Sequence, residues 1–175
     1  MTLRLLLLRH GKAAWPHGAL DLDRPLAKRG REASMLMGNY LRDEGLRPDL
    51  VLVSPARRTL ETWELVRPML DGTEVRHDQR IYEAPVSRLI NVLHEVEEGT
   101  GTILMIGHNP GFEDLAKLLV GEGDVDAILR INQKYPTAGL AVIEFPHGSW
   151  REVRGKSGRL ERFVTPKSLG TGDDD

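Results

Sequence analysis

The chain contains no cysteine, carries little net charge and has only short apolar runs. Without cysteine it cannot form a disulfide, a thiolate metal site or a thiolate nucleophile. A net charge of -2 at pH 7 gives no global basic field that would attract nucleic acid or an anionic membrane. The apolar run near the N-terminus is far too short to span a membrane, and no small-residue cleavage site follows it. We therefore expect a cytoplasmic protein that binds neither nucleic acid nor membrane.

Length and composition are those of a single globular domain. The chain has 175 residues, of which 40% are hydrophobic and 29% are charged, so it can bury a substantial core. We predict one domain over residues 1–165 and a polar, mobile tail over residues 166–175. No internal repeat or linker divides the chain, and the sequence leaves the oligomeric state open.

Apolar runs and apolar stripes alternate along the first two thirds of the chain. Runs that predict strands buried on both faces lie at residues 5–8, 50–53 and 102–106. Stripes at helical spacing predict helices over residues 29–44, 55–70, 86–93 and 112–120. Another short strand is predicted between residues 73 and 81. This alternation indicates an α/β fold, a three-layer αβα sandwich around a mostly parallel central sheet.

The last third of the chain has a different pattern. Apolar segments predict strands over residues 138–145, 150–154 and 160–164. Short turns at His147-Gly148 and near Gly155 would join them. Because short turns join antiparallel strands, we expect an antiparallel part at one edge of the sheet.

A polar segment follows each of the three buried strands. These segments are Arg9-His10-Gly11, residues 54–58 and His108-Asn109-Pro110-Gly111. In open α/β sheets, ligands bind outside the carboxyl ends of the parallel strands. We therefore expect the three segments to gather around one cleft.

Two of these segments share a capping pattern. Ser54 and Asn109 are favourable N-cap residues, and Pro55 and Pro110 suit the first position of a helix. Each segment would present free N–H groups and the positive end of a helix dipole to the cleft. Arginines and a protonated His108 would add positive charge, so the pattern favours a site for a phosphate group. For any single segment, an ordinary cap beside surface arginines is the alternative interpretation.

Several motifs together resemble the histidine phosphatase superfamily, the phosphoglycerate mutase-like proteins. Leu8-Arg9-His10-Gly11 is similar to the first motif of that family. Later motifs match in order and approximate spacing at residues 54–62, Tyr82-Glu83-Ala84 and Gly107-His108-Asn109. The short chain and its Asp23-Arg24-Pro25-Leu26 segment resemble the SixA-type phosphohistidine phosphatase branch. The resemblance covers essentially the whole chain and implies a phosphoglycerate mutase-like fold.

The resemblance also implies a role for each matching residue. His10 would be the nucleophile that forms a phosphohistidine intermediate. Arg9, Arg58 and His108 would neutralise the phosphoryl oxygens during transfer. Glu83 would protonate the leaving group, with an ordinary residue ahead of a helix as the alternative. The implied phosphate-binding set is Arg9, His10, Gly11, Arg58, His108 and Asn109.

The register of the second motif selects between two adjacent arginines. The family pattern places an arginine four residues after the serine and a threonine four residues later, which Arg58 and Thr62 fit. Arg57 is then a peripheral cation. The sequence departs from the pattern at Pro16, where the family often has an asparagine, so one expected phosphate contact is missing.

These implied roles describe a phosphatase that needs no cofactor and no metal. Its implied substrate is a phosphohistidine on another protein. A small-molecule phosphomonoesterase or mutase with the same chemistry is the nearest alternative, and a non-catalytic module that binds a phosphorylated ligand is a third. The remaining histidines lack the paired spacing of a metal site.

Overall fold

The computed structural model describes residues 1–146 and 148–171. Its strands are β1 (Leu3–Arg9), β2 (Leu50–Val53), β3 (Glu74–His77), β4 (Thr102–Gly107), β5 (Val120–Gly123), β6 (Leu140–Phe145) and β7 (Gly158–Val164). Its α-helices are α1 (Lys28–Asp43), α2 (Arg57–Val66), α3 (Val86–His94), α4 (Gly111–Leu119) and α5 (Val125–Gln133). Short 3-10 turns cover Asp21–Asp23, Arg67–Met69, Gln79–Ile81, Trp150–Glu152 and Lys167–Leu169. Within the described ranges, no helix is long and apolar enough to cross a bilayer.

The strands form one sheet in the order β3-β2-β4-β1-β6-β7-β5. The neighbours β3, β2, β4 and β1 are parallel, whereas β6 is antiparallel to both β1 and β7. The edge strand β5 runs parallel to β7. The sheet is therefore mostly parallel with an antiparallel part toward one edge, as the sequence predicts.

The central strand β1 shows why its sequence is a continuous apolar run. Leu5 and Leu7 belong to the core cluster that includes residues of α3, α4 and α5, whereas Leu6 and Leu8 belong to the cluster that includes residues of α1 and α2. Successive side chains of a strand point to opposite faces, so a strand covered on both faces is apolar at every position. The predicted three-layer αβα arrangement is confirmed.

Three features of the last third differ from the prediction. The strand predicted over residues 150–154 is wrong, since Trp150–Glu152 form a 3-10 turn. Trp150 is buried there and its indole N–H donates to the carbonyl oxygen of Thr100 at 2.6 Å, so its apolar character reflects anchoring and not strand pairing. The sequence patterns also miss β5, which contains two glycines, and α5. In α5 the apolar residues lie on both faces, since Val125 and Leu129 are exposed whereas Ala127 and Ile131 are buried. The sequence therefore shows no single apolar stripe at helical spacing.

Part of the predicted tail is ordered. Lys167–Leu169 form a turn, and Leu169 packs against the core cluster on the α1 and α2 side of the sheet. Residues 172–175 of the predicted tail and His147 of the predicted turn lie outside the described residues.

Two glycines let the segment after β1 lie directly on the start of α1. A Cβ atom on Gly11 would lie 2.4 Å from the carbonyl oxygen of Gly30, and a Cβ atom on Gly30 would lie 2.1 Å from that of Lys12. The Lys12 carbonyl also accepts a hydrogen bond from the N–H of Ala27 at 2.8 Å. Close backbone approach, which only glycine permits here, therefore fixes the segment that carries His10.

We expect Gly30→Ala to destabilise the protein, although the same change inside a helix ordinarily stabilises it by about 1 kcal/mol. The added methyl group would displace the Lys12 backbone, at a cost of about 1–3 kcal/mol. Urea unfolding measures this difference in the free energy of unfolding. Lys28→Ala, on an exposed side chain of the same helical turn, is the control and should change stability by less than about 0.5 kcal/mol. A Gly30→Ala variant as stable as the wild type would contradict the close contact.

Candidate active site

The three polar segments meet at one edge of the sheet, as predicted. They follow β1, β2 and β4, which are neighbours in the sheet. The N–H of His10 donates to the carbonyl oxygen of Gly107, and the N–H of Ser54 donates to that of Ile106, both at 3.1 Å. These bonds extend the parallel pairing by one residue, so His10, Ser54 and His108 are held side by side. A cleft of about 740 Å³ opens at this edge.

Two hydrogen bonds define the state of the His10 ring. Its Nδ1 lies 2.7 Å from the carbonyl oxygen of Gly11, which can only accept, so Nδ1 carries the proton. Its Nε2 accepts from Nε of Arg58 at 3.3 Å. Burial, together with the positive charges of Arg9 and Arg58, lowers the pKa of His10 well below its ordinary value. The ring is therefore neutral at pH 7, with the lone pair of Nε2 available at the cleft.

Arg58 lies in the first turn of α2, and its guanidinium is held on both sides. Its Nη1 and Nη2 donate to the backbone and side-chain oxygens of Asp21 at 2.7 and 3.1 Å. Thr62 ties this turn to the nucleophile segment, since its hydroxyl donates to the Arg58 carbonyl and accepts from the N–H of Gly11. Arg57 instead points to solvent, 56% exposed, and pairs with Glu61. The helix thus brings Arg58, and not Arg57, beside His10.

His108 lies next to His10, with the two ring centroids 5.3 Å apart. Its Nε2 lies 2.7 Å from the hydroxyl oxygen of Ser54, and its buried Nδ1 has no hydrogen-bond partner within the described part of the chain. Burial and the nearby Arg58 lower the pKa of His108 to about 3. His108 is therefore neutral in the unliganded site at pH 7, in contrast to the protonated form considered from the sequence.

The capping pattern predicted for the second segment is wrong. Helix α2 begins at Arg57, and its N-cap Ala56 has no side-chain cap. The hydroxyl of Ser54 contacts His108 instead, because β4 places that ring directly beside it.

In the third segment Asn109 does cap helix α4, but it lies one residue before the N-cap position that the sequence predicts for it. Helix α4 begins at Gly111 after Pro110, yet Oδ1 of Asn109 still accepts from the N–H of Glu113 at 3.2 Å. The Asn109 amide also donates to the carbonyl oxygen of Tyr135 at 3.0 Å, and Nη1 of Arg9 donates to the same oxygen at 2.9 Å. The Tyr135 carbonyl therefore holds both side chains, and both Arg9 and Asn109 line the cleft.

Of two other predicted site residues, Glu83 lines the cleft and Gly11 does not. Gly11 does not line it, and its N–H donates to Thr62, so the role visible for Gly11 is close packing. Glu83 lines the cleft with a φ of 50°, a left-handed conformation that is uncommon for residues other than glycine. Arg88 supports this backbone by donating to the Glu83 carbonyl at 2.8 Å.

Two further residues belong to the cleft region: Asp21, which the sequence patterns do not single out, and Tyr82, which they include in a motif without a role. The carboxylate oxygen Oδ2 of Asp21 accepts from Nη2 of Arg58 and from the hydroxyl of Tyr82, the latter at 2.5 Å. These donors lower the pKa of Asp21, the hydrogen bond from Tyr82 most strongly. The Tyr82 ring in turn meets His108 edge-on, with centroids 5.5 Å apart. The sequence signal for Asp21 is its position two residues before the Asp23-Arg24-Pro25-Leu26 segment.

Comparisons with known proteins agree with this geometry. The family model described as histidine phosphatase superfamily (branch 1) matches residues 5–87. An uncharacterised protein of Mycobacterium tuberculosis is 35% identical over 162 residues, which cover 91% of this chain and 100% of that protein. Phosphohistidine phosphatase SixA of Escherichia coli is 32% identical over 117 residues, 62% of this chain and 68% of that protein. The solved structure of a proposed phosphohistidine phosphatase SixA from Agrobacterium tumefaciens has a TM-score of 0.79 at 27% identity, covering 94% of this chain and 98% of that one.

We expect the two adjacent arginines to differ sharply in anion binding. Arg58→Ala should weaken the binding of inorganic phosphate by roughly 10- to 100-fold, because a charge-assisted hydrogen bond is lost from a buried site. Arg57→Ala, its matched control on the same helix, removes only an exposed ion pair and should change the affinity by less than about fivefold. Titration calorimetry of both variants measures this, and equal losses would contradict the placement of Arg58.

Proposed function

Since the chain belongs to the histidine phosphatase superfamily, we propose that this phosphatase removes phosphoryl groups from phosphohistidine side chains of other proteins, with His10 as its covalent nucleophile. The state of the His10 ring carries this proposal. Its Nδ1–H is held by the Gly11 carbonyl, and Nε2 faces the Arg58 guanidinium. A neutral imidazole with its lone pair beside a cation is suited to attack a phosphorus atom whose oxygens bind that cation.

In the first step, the lone pair of His10 Nε2 forms a bond to phosphorus. The bond between phosphorus and the leaving group breaks, and its electron pair departs with the leaving group. Arg9 and Arg58 neutralise the phosphoryl oxygens, and His108 lies beside His10 in the lining of the same cleft. The Gly11 carbonyl stabilises the positive charge that develops on the His10 ring.

In the second step, water attacks phosphorus and the bond to His10 Nε2 breaks. The electron pair returns to Nε2, and His10 regains its starting state with the proton still on Nδ1. The product leaves as dihydrogen phosphate and ionises in solvent. Each residue keeps its protonation state over the cycle, which is consistent with a histidine whose pKa is far below 7.

The openness of the cleft supports a protein substrate. Only α3 and its flanking turns separate Glu83 from β4, so no inserted segment on that side covers the site. The segment between β1 and α1 forms the opposite wall through Lys12, Asp21 and Arg24. An open cleft encloses a small ligand incompletely, which reduces the burial on which small-molecule affinity depends. It can admit a phosphorylated side chain that projects from another protein. The similarity to SixA proteins supports the same substrate class.

A small phosphate ester is the second candidate substrate. Glu83 lines the cleft and could donate a proton to an oxygen leaving group, which departs poorly as an alkoxide. The strained backbone that places Glu83 there is the observation that favours this candidate.

A substrate panel separates the two candidates. We expect kcat/KM for a phosphohistidine protein to exceed that for sugar phosphates and nucleotides by at least about tenfold, which corresponds to about 1.4 kcal/mol of transition-state discrimination. All reactions should contain a chelator, and His10→Ala serves as the inactive control. If a small metabolite is preferred by the same factor, the phosphohistidine assignment is wrong, whereas the chemistry at His10 would stand.

A further inference from the structure

Five side chains at the cleft form a closed ring of contacts, and one of them is a carboxylate. The ring runs from His10 to Arg58, Asp21, Tyr82, His108 and back to His10. Within it, the Arg58 guanidinium faces His10 with Nε and the Asp21 carboxylate with Nη2. The Arg58 guanidinium therefore lies between the Asp21 carboxylate and Nε2 of His10, which is the attacking nitrogen. A negative charge at this distance opposes the binding of a phosphate dianion, so its presence calls for an explanation.

We propose that Asp21 recognises the leaving imidazole of phosphohistidine, by accepting a hydrogen bond from the ring nitrogen that does not carry phosphorus. This inference rests on the proposed function and names the group that selects its substrate. It makes Asp21 a specificity-determining residue for nitrogen-bound phosphoryl groups.

One oxygen of the Asp21 carboxylate accepts two hydrogen bonds, and the other can accept a further hydrogen bond. Oδ2 accepts from Arg58 and Tyr82 at 3.1 and 2.5 Å. Among the described residues, Oδ1 has one contact, a long one of 3.4 Å with Nη1 of Arg24. The Asp21 side chain is 38% exposed and lines the cleft, so Oδ1 is open to a substrate N–H. Because Tyr82 and Arg58 lower the pKa of Asp21, the group is ionised at pH 7 and can only accept.

An accepting carboxylate is what an imidazole leaving group requires. When the distal nitrogen of phosphohistidine is protonated, the bond between phosphorus and the other nitrogen can break with its electron pair remaining on the ring. The product is a neutral imidazole that keeps its distal N–H, so no proton has to reach the scissile nitrogen. Asp21 would stabilise the protonated ring, as the Gly11 carbonyl holds Nδ1–H of His10 on the other side of the transfer.

The same charge has the opposite effect on an oxygen ester. An aryl or alkyl phosphate offers no N–H to Asp21, and its dianion is repelled by the carboxylate. Removing the charge at Asp21 should therefore slow phosphohistidine hydrolysis far more than ester hydrolysis. A residue that only positioned Arg58 would affect both substrates to a similar extent.

The test compares Asp21→Asn with wild type on two substrates, a peptide carrying Nε2-phosphohistidine and 4-nitrophenyl phosphate. The amide keeps an oxygen that accepts from Arg58 and Tyr82 but loses the charge. We expect kcat/KM for the peptide to fall by roughly 10- to 100-fold, because a charge-assisted hydrogen bond is lost. We expect kcat/KM for 4-nitrophenyl phosphate to fall by less than about threefold, because the amide oxygen can still accept from Arg58 and Tyr82.

A pH profile and a matched variant complete the experiment. The loss on the peptide should grow as pH rises above the ordinary imidazole pKa of about 6.5, because the substrate ring then depends on Asp21 to stay protonated. Asp23→Asn removes an exposed carboxylate from the same 3-10 turn and should behave as wild type on both substrates. Retained ester hydrolysis by Asp21→Asn shows that the variant is folded.

Each outcome decides the question. A loss on the peptide at least about tenfold greater than the loss on 4-nitrophenyl phosphate supports the inference. Equal losses on both substrates reduce Asp21 to positioning Arg58 and overturn it, as does no loss on either. If wild type itself does not hydrolyse the peptide while cleaving 4-nitrophenyl phosphate, the proposed substrate class is wrong, and the inference falls with it.

Discussion

The hydrogen bond from Nδ1–H of His10 to the Gly11 carbonyl is the interaction on which the site depends. At 2.7 Å it fixes the tautomer of the ring and leaves Nε2 as the unprotonated nitrogen. The bond exists only because the segment after β1 is immobilised. The Gly11 N–H is held by Thr62, and the backbones of Gly11 and Gly30 approach too closely for any side chain. Contacts of the Gly11 backbone with α1 and α2 thus fix the position of His10 at the end of β1.

The electrostatics of the cleft follow from burial among cations. Desolvation and the neighbouring arginines keep His10 and His108 neutral, so the unliganded site holds its positive charge on Arg9 and Arg58. Asp21 offsets part of this charge and orients Arg58 before a ligand binds. Preorganised charge of this kind needs little rearrangement during transfer, which is the general basis of electrostatic catalysis.

Much of the fold could be predicted because its central strands are apolar on both faces. The runs in β1, β2 and β4 mark the middle of the sheet, and the rule for parallel strand ends then brings His10, Arg58 and His108 together. Contacts between loops have no such periodic signal. Asp21 acts from a short turn and Tyr82 from the segment before α3, so their meeting depends on tertiary structure alone. The local sequence predicts a cap at Ser54, because the contact of Ser54 with His108 on a neighbouring strand has no local signal.

The transfer of the phosphoryl group to His10 can be measured directly. Rapid quenching at alkaline pH during turnover, followed by mass spectrometry of proteolytic fragments, should find a phosphoryl group on the fragment that contains His10. That group should be lost in acid, since phosphoramidate bonds are acid-labile, and it should be absent from the exposed His17. His10→Ala should accumulate no such group and show no turnover. Steady hydrolysis by the His10→Ala variant, or a phosphoryl group that appears only on another residue of the wild type, would contradict the account.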